Sequence, residues 1–162
     1  MRKILVFGNS GSGKSTLAKE LKHSENLAHL DLDELAWQQS NPPQRAPLEN
    51  SLSAINEFAQ KNDSWVIEGC YSDLLELAVE QANEIIYLNL PVHECISNAR
   101  NRPWEAHKYE SKEAQDENLE MLLSWIEDYD TRTDVFSKAS HQKLYNCFTG
   151  KKTMVTTNAR DT

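Results

Sequence analysis

Short apolar segments alternate along this chain with longer segments of helical periodicity. The apolar segments lack the polar alternation of a half-exposed strand, which predicts parallel strands covered on both faces. These predicted strands are residues 3–7, 27–30, 65–67, 85–90 and 152–157. The alternation of strands with helices is typical of an α/β protein. We therefore expect a three-layer α/β sandwich on a five-stranded, mostly parallel sheet.

Helices are predicted where apolar residues recur at a spacing of three or four positions. Pro47 is well placed to start one helix, Ser72 or Asp73 to cap another, and Pro91 to open a third. The predicted helices are residues 14–22, 48–59, 73–79, 92–99, 112–129 and 140–148. No linker interrupts this sequence of elements, so a single domain over residues 1–162 is expected, with a short lid-like loop at about 100–111.

Composition narrows the possible partners. The 162 residues carry 17 Lys and Arg against 25 Asp and Glu, a formal net charge of −8. An acidic chain is not expected to hold nucleic acid or an anionic membrane surface, because both need a broad basic face. The odd set of Cys70, Cys95 and Cys147, without a C-x-x-C pair, favours a reducing compartment, and the first apolar run is too short for a signal peptide. A cytoplasmic protein is expected, as a monomer or homodimer.

A glycine-rich loop follows the first predicted strand and opens the first predicted helix. Residues 8–15 fit G-x-x-x-x-G-K-[ST], in which backbone N–H groups surround phosphate oxygens at the positive end of a helix. In this motif Lys14 bridges the β- and γ-phosphates and the Ser15 hydroxyl ligates Mg²⁺. The predicted nucleotide-binding residues are Gly8, Asn9, Ser10, Gly11, Ser12, Gly13, Lys14, Ser15 and Thr16.

Acidic residues end the second and third predicted strands, at the sheet edge where ligands of parallel α/β proteins bind. Asp31 and Glu68 are candidates to hold Mg²⁺ or its water, and Asp33 is a candidate to accept a proton from a substrate. An alternative is that Asp33 and Glu34 simply begin a helix, where carboxylates favour the dipole.

A basic segment precedes the long predicted helix. It contains Arg100, Arg102, His107 and Lys108, and a mobile arginine loop can stabilise charge that develops during phosphoryl transfer. Arg100 and Arg102 are therefore candidate catalytic residues. The alternative is a solvated helix end, where arginine is common.

These motifs resemble those of the small P-loop kinases of the adenylate kinase and shikimate kinase group. More narrowly, the chain looks like bacterial adenylate-kinase-like or "DNA topology modulation" proteins. The likeness is carried by the loop at 8–15, residues 29–33 with Trp37, residues 65–71 and 85–90, and the arginines at 100 and 102. It implies a strand order of 2-3-1-4-5, ATP as phosphoryl donor, Asp31 as the metal-side acid and Asp33 as the substrate-binding acid. The third strand ends in Glu68-Gly69-Cys70 instead of three glycines, which disfavours shikimate as the acceptor.

The residues and the resemblance together favour an ATP-dependent phosphotransferase. Lys14, Ser15 and Mg²⁺ would hold the ATP phosphates, and Asp33 would orient or deprotonate a small metabolite or nucleotide acceptor. A nucleotide-binding regulator or slow ATPase that acts through a protein partner is the competing hypothesis. A GTPase is disfavoured, since no N-K-x-D segment occurs.

Overall fold

A computed structural model describes residues 1–38, 44–101 and 111–157. Its strands are β1 (Lys3–Gly8), β2 (Ala28–Asp31), β3 (Trp37–Gln38), β4 (Gln44–Arg45), β5 (Trp65–Gly69), β6 (Glu84–Leu88) and β7 (Lys151–Val155). Its helices are α1 (Lys14–Glu25), α2 (Asp33–Ala36), α3 (Leu48–Lys61), α4 (Ser72–Val79), α5 (Val92–Arg100), α6 (Lys112–Glu127) and α7 (Lys138–Cys147). A 3₁₀ turn, Asp128–Asp130, continues α6.

Five strands form one sheet in the order β2-β5-β1-β6-β7, and every neighbouring pair is parallel. Counted among themselves, these strands have the order 2-3-1-4-5, which confirms the predicted α/β fold. A parallel neighbour requires a crossover, and the helices between the strands supply it. The carboxyl ends of β1, β2 and β5 therefore share one edge of the sheet.

Each face of the sheet is covered by its own apolar cluster. Alternate strand residues such as Leu5 and Phe7 pack with α3, α4 and α7, while Ile4 and Val6 pack with α1, α5 and α6. Residues on both faces of β1, β5 and β6 are buried, which is why these three strands read as nearly continuous apolar runs.

The structure corrects several local expectations. The strands β3 and β4 form a separate antiparallel pair that the sequence pattern does not predict. The helix α5 runs through Arg100, where a loop was expected to begin, and α4 follows Tyr71 with Ser72 as its first residue rather than as its cap. Most of the predicted lid at 100–111 lies outside the described residues. Within the part of the chain that is described, no helix is both long and apolar enough to cross a bilayer.

Candidate functional site

The glycine-rich loop connects β1 to α1 and packs against α5. Gly11 has φ +79°, and a β-carbon there would lie 2.4 Å from the carbonyl oxygen of Cys95 in α5. Gly13, the residue before α1, has φ +92°. Both conformations favour glycine, and at Gly11 even alanine would collide with backbone. The motif glycines therefore allow a tight loop at the N-terminus of α1.

Protein donors hold the loop in place from several sides. Lys14 Nζ donates to the carbonyl oxygen of Asn9 at 2.8 Å, and Asn98 Nδ2 of α5 donates to that of Gly11 at 2.8 Å. The buried Asn9 side chain donates in turn to the carbonyl oxygen of Ile126 in α6, at 3.3 Å. The loop is thus anchored to α5 and α6, two of the three helices that cover this face of the sheet.

One hydroxyl inside the loop has no protein partner. Ser12 Oγ is fully buried and makes no hydrogen bond within the described residues. A buried hydroxyl without a partner is unfavourable by about 1–3 kcal/mol. The loop therefore offers a polar group suited to a ligand oxygen.

Two acidic residues lie side by side where β2 and β5 end. Asp31 is the register partner of Glu68, whose carboxylate is buried and lies 3.0 Å from His29 Nε2. Asp31 Oδ1 accepts a hydrogen bond from the backbone N–H of Asp33 at 2.9 Å. Asp31 thus fixes the turn that leads from β2 into α2.

Asp33 and Glu34 are the first two residues of α2, so the helix-start alternative describes their position correctly. Asp33 is exposed, and its Oδ1 accepts a hydrogen bond from the Tyr71 hydroxyl. The same carboxylate therefore begins a helix and is also exposed at the carboxyl edge of the sheet.

Sequence reasoning missed a cationic neighbour of Tyr71, the residue that donates to Asp33. Arg45 Cζ lies 4.8 Å from the centre of the Tyr71 ring, and Arg45 Nη2 lies 3.0 Å from Asp73 Oδ2. Tyr71 belongs to the segment that carries the family resemblance, and Asp73 was considered only as a helix cap. No sequence signal marks Arg45, because its position depends on the β3–β4 pair.

The structure brings four of the predicted side chains together around Cys70, the residue that follows β5. The pKa of the Cys70 thiol is raised to about 12, mainly by burial, and also by the charges of Asp33, Asp31 and Glu68, while Lys14 opposes the rise. A thiol with this pKa is not a nucleophile at neutral pH. The position of Cys70 is informative, because the charges of Lys14 and of the three carboxylates all affect the pKa of its thiol.

The arginine predictions have different outcomes. Arg100 is exposed in the last turn of α5, two residues after Asn98, which contacts the glycine-rich loop. Arg100 is therefore at a helix end, as the alternative to a catalytic role expected. The helix that carries it, α5, nevertheless contacts the glycine-rich loop. Arg102, with His107 and Lys108, lies outside the described residues. Among the described residues, no group of three or more His, Cys, Asp or Glu side chains is arranged to hold a metal ion.

The fold and the glycine-rich loop define the class of protein: a P-loop domain of the kinase-like type. The family AAA_18, described as an AAA domain, matches residues 4–122, about three quarters of the chain. The chain belongs to this family. A cytidylate kinase from Haloarcula marismortui is 26% identical over 144 residues, covering 78% of this chain and 74% of the relative.

Two solved structures align with most of this chain at low sequence identity. A shikimate kinase from Bacteroides thetaiotaomicron covers 90% of this chain and 97% of its own, at 18% identity and a TM-score of 0.49. A sugar kinase from Janibacter sp. HTCC2649 covers 90% and 93%, at 14% identity and a TM-score of 0.49. The family match and the cytidylate kinase relative support the wider resemblance to P-loop kinases, and the narrower likeness to DNA topology modulation proteins stays a prediction.

Proposed function

We propose that this protein is an ATP-dependent phosphotransferase that moves the γ-phosphoryl group to a small metabolite or nucleotide. The proposal depends on one observation: the glycine-rich loop with Lys14 follows β1 and the exposed carboxylate of Asp33 follows β2, so both lie at the same carboxyl edge of the parallel sheet. A group that holds phosphate and a group that can take a proton are the two parts that phosphoryl transfer to a hydroxyl requires.

The donor side is the loop of residues 8–16. Its N–H groups and the N-terminus of α1 bind the phosphates, and Lys14 exchanges its bond to Asn9 for the β- and γ-phosphates. The buried Ser12 hydroxyl gains a phosphate oxygen as the partner it lacks. ATP binding therefore requires rotation of Lys14 and no rebuilding of the loop.

The oxygen donors near the loop suit Mg²⁺, which prefers carboxylates, hydroxyls and water. Ser15 would ligate the ion directly, and Asp31 and Glu68 would hold it or its water at the ends of β2 and β5. When bound, Mg²⁺ neutralises charge on the β- and γ-phosphates.

The acceptor side is formed by Asp33 and Tyr71. The carboxylate of Asp33 orients the acceptor hydroxyl and takes its proton as the bond to phosphorus forms. The Tyr71 hydroxyl fixes the orientation of that carboxylate. Arg100 and Arg102 supply positive charge to the transferred group from the end of α5 and the segment beyond it.

A turnover assay tests the proposal most directly. ATP hydrolysis is measured alone and with nucleoside monophosphates, nucleosides and hydroxylated acids, and the cytidylate kinase relative makes CMP the first acceptor to test. We expect one acceptor class to raise turnover about tenfold or more and to yield a phosphorylated product. Tight ATP binding with the same turnover across the panel would favour the regulator or slow ATPase instead.

Two matched pairs of variants test the roles of individual residues. Lys14→Ala should abolish measurable ATP binding, whereas Lys19→Ala, an exposed position on the same helix, should leave it unchanged. Asp33→Asn should lower turnover about 100-fold with ATP affinity nearly unchanged, and its neighbour Glu34→Gln should have little effect. Full turnover in Asp33→Asn would remove Asp33 from the mechanism.

A further inference from the structure

A chain of buried polar groups lies on the opposite face of the sheet from the glycine-rich loop's helix. The Tyr87 and Tyr129 hydroxyls are 2.7 Å apart, and the Tyr129 hydroxyl is 2.7 Å from His141 Nδ1. His141 Nε2 lies 2.8 Å from the carbonyl oxygen of Cys70. These contacts connect β6, the 3₁₀ turn, α7 and the end of β5, and the imidazole is fully buried.

The Cys70 carbonyl, at one end of this series of polar groups, fixes the direction of every hydrogen bond in it. The carbonyl oxygen of Cys70 can only accept, so His141 Nε2 carries the hydrogen. In the neutral ring Nδ1 is then an acceptor, and the Tyr129 hydroxyl donates to it. The Tyr87 hydroxyl donates to Tyr129 in turn. Every donor in the chain is used, and His141 faces Cys70 as a fixed donor.

The C-terminal segment also holds the residues that follow Cys70. The backbone N–H of Ser72 donates to the carbonyl oxygen of Val135 at 2.9 Å. The Phe136 ring meets the Tyr71 ring edge-on, with 5.1 Å between ring centres. Residues 135–141 therefore hold Tyr71 in three ways. His141 binds the carbonyl of the preceding residue, Val135 binds the N–H of the following residue, and Phe136 contacts the ring itself.

We propose that His141 is a positioning residue, which holds the Tyr71 hydroxyl on the Asp33 carboxylate by fixing the peptide carbonyl of Cys70. An apolar side chain could fill the same volume, but it would leave that carbonyl without its donor and the peptide free to rotate. An effect of His141 on phosphoryl transfer rests on the proposed function of Asp33. An effect of His141 on the position of the Tyr71 hydroxyl does not.

Two substitutions of His141 separate positioning from packing. In His141→Gln the amide nitrogen lies near the Nε2 position and can still donate to Cys70. In His141→Asn the shorter amide lies near the Nδ1 position and can satisfy only Tyr129. Each variant leaves one buried polar group unpaired, so the two should lose similar amounts of stability.

The first measurement needs no acceptor. Tyrosine labelled with ¹³C at Cζ gives one resonance for each of the five tyrosines, assigned with single Phe variants. We expect the Tyr71 resonance to move towards that of a solvated tyrosine in His141→Asn and to keep its native position in His141→Gln. Tyr87→Phe changes the end of the hydrogen-bonded series furthest from Cys70, and it should leave the Tyr71 resonance in place. An unmoved Tyr71 resonance in His141→Asn, or equal movement in both variants, would overturn the proposal.

The second measurement uses an acceptor found in the turnover panel. His141→Asn should lower kcat/KM for that acceptor about tenfold, with the ATP dissociation constant within about twofold of native and His141→Gln near native. In a Tyr71→Phe background the same substitution should have almost no further effect, because both act through one hydroxyl. Additive losses would contradict action through Tyr71. If no acceptor stimulates turnover, the proposed function fails, and the tyrosine resonances still decide the role of His141.

Discussion

Acid should destabilise this protein through His141 in particular. The pKa of His141 is lowered to about 4, mainly by burial, to a smaller extent by the charge of Lys14, and against the effect of the Cys70 carbonyl. In the unfolded chain a histidine takes up a proton near pH 6.5. Between these values the unfolded state binds more protons than the folded state, so falling pH favours unfolding.

The size of this effect follows from the two pKa values. The stabilisation is complete above about pH 6.5 and is lost as the pH falls towards 4. The full loss amounts to about 3 kcal/mol, and about 2 kcal/mol of it occurs between pH 7 and pH 5. Protonation also places a hydrogen on Nδ1, so the Tyr129 and Tyr87 hydroxyls must both turn, while His141 Nε2 still donates to the Cys70 carbonyl.

Urea unfolding followed by tryptophan fluorescence at pH 7 and pH 5 measures the effect. The native protein is compared with His141→Gln, which cannot titrate at this position, so that contributions from other groups cancel in the difference. We expect the stability advantage of the native protein to shrink by about 2 kcal/mol between the two pH values. A change below about 0.5 kcal/mol would refute a neutral, buried His141.

Other substitutions test the anchoring of the glycine-rich loop and the buried hydrogen bonds of Tyr129. Gly11→Ala places a β-carbon against the Cys95 carbonyl, and calorimetry should show ATP affinity reduced about tenfold or more; native affinity would contradict the need for glycine. Asn98→Ala removes a single hydrogen bond to the loop and should reduce ATP affinity less, about threefold, in the same assay. Tyr129→Phe leaves two buried partners unpaired and should lower the free energy of unfolding by about 1–3 kcal/mol in urea titrations; a smaller loss would mean that water replaces the hydroxyl.

The five-stranded sheet could be predicted because buried parallel strands have a distinctive pattern, whereas the order of the strands was implied only by the resemblance to small P-loop kinases. Residues 4–7 and 85–88 are apolar throughout, and both correspond to central strands covered on two faces. The β3–β4 pair was missed, because two-residue strands such as Gln44–Arg45 are too short for any periodicity. Length therefore decided which strands the pattern could reveal.

The residues of the candidate site were predictable only where a sequence motif or a strand end marks them. Lys14, Asp31, Asp33 and Glu68 were recognised because a motif or a strand end marks each of them, and the sheet brings those ends together. His141 is 71 residues from Cys70 and lies on a helix whose sequence shows nothing unusual. Its function depends on tertiary contacts that no local pattern records.

The anchoring of the loop by Ile126 has a consequence for how the chain can be recombined. The family match ends at residue 122, but Ile126, Tyr129, α7 and β7 all lie after it. A chimera joined at that border would keep the carbonyl that receives Asn9 only if the foreign segment continued α6 along the same path, and it would expose β6 as an unpaired sheet edge unless that segment also replaced β7. Exchange between relatives should therefore succeed only when the segment after residue 122 preserves both of these backbone contacts.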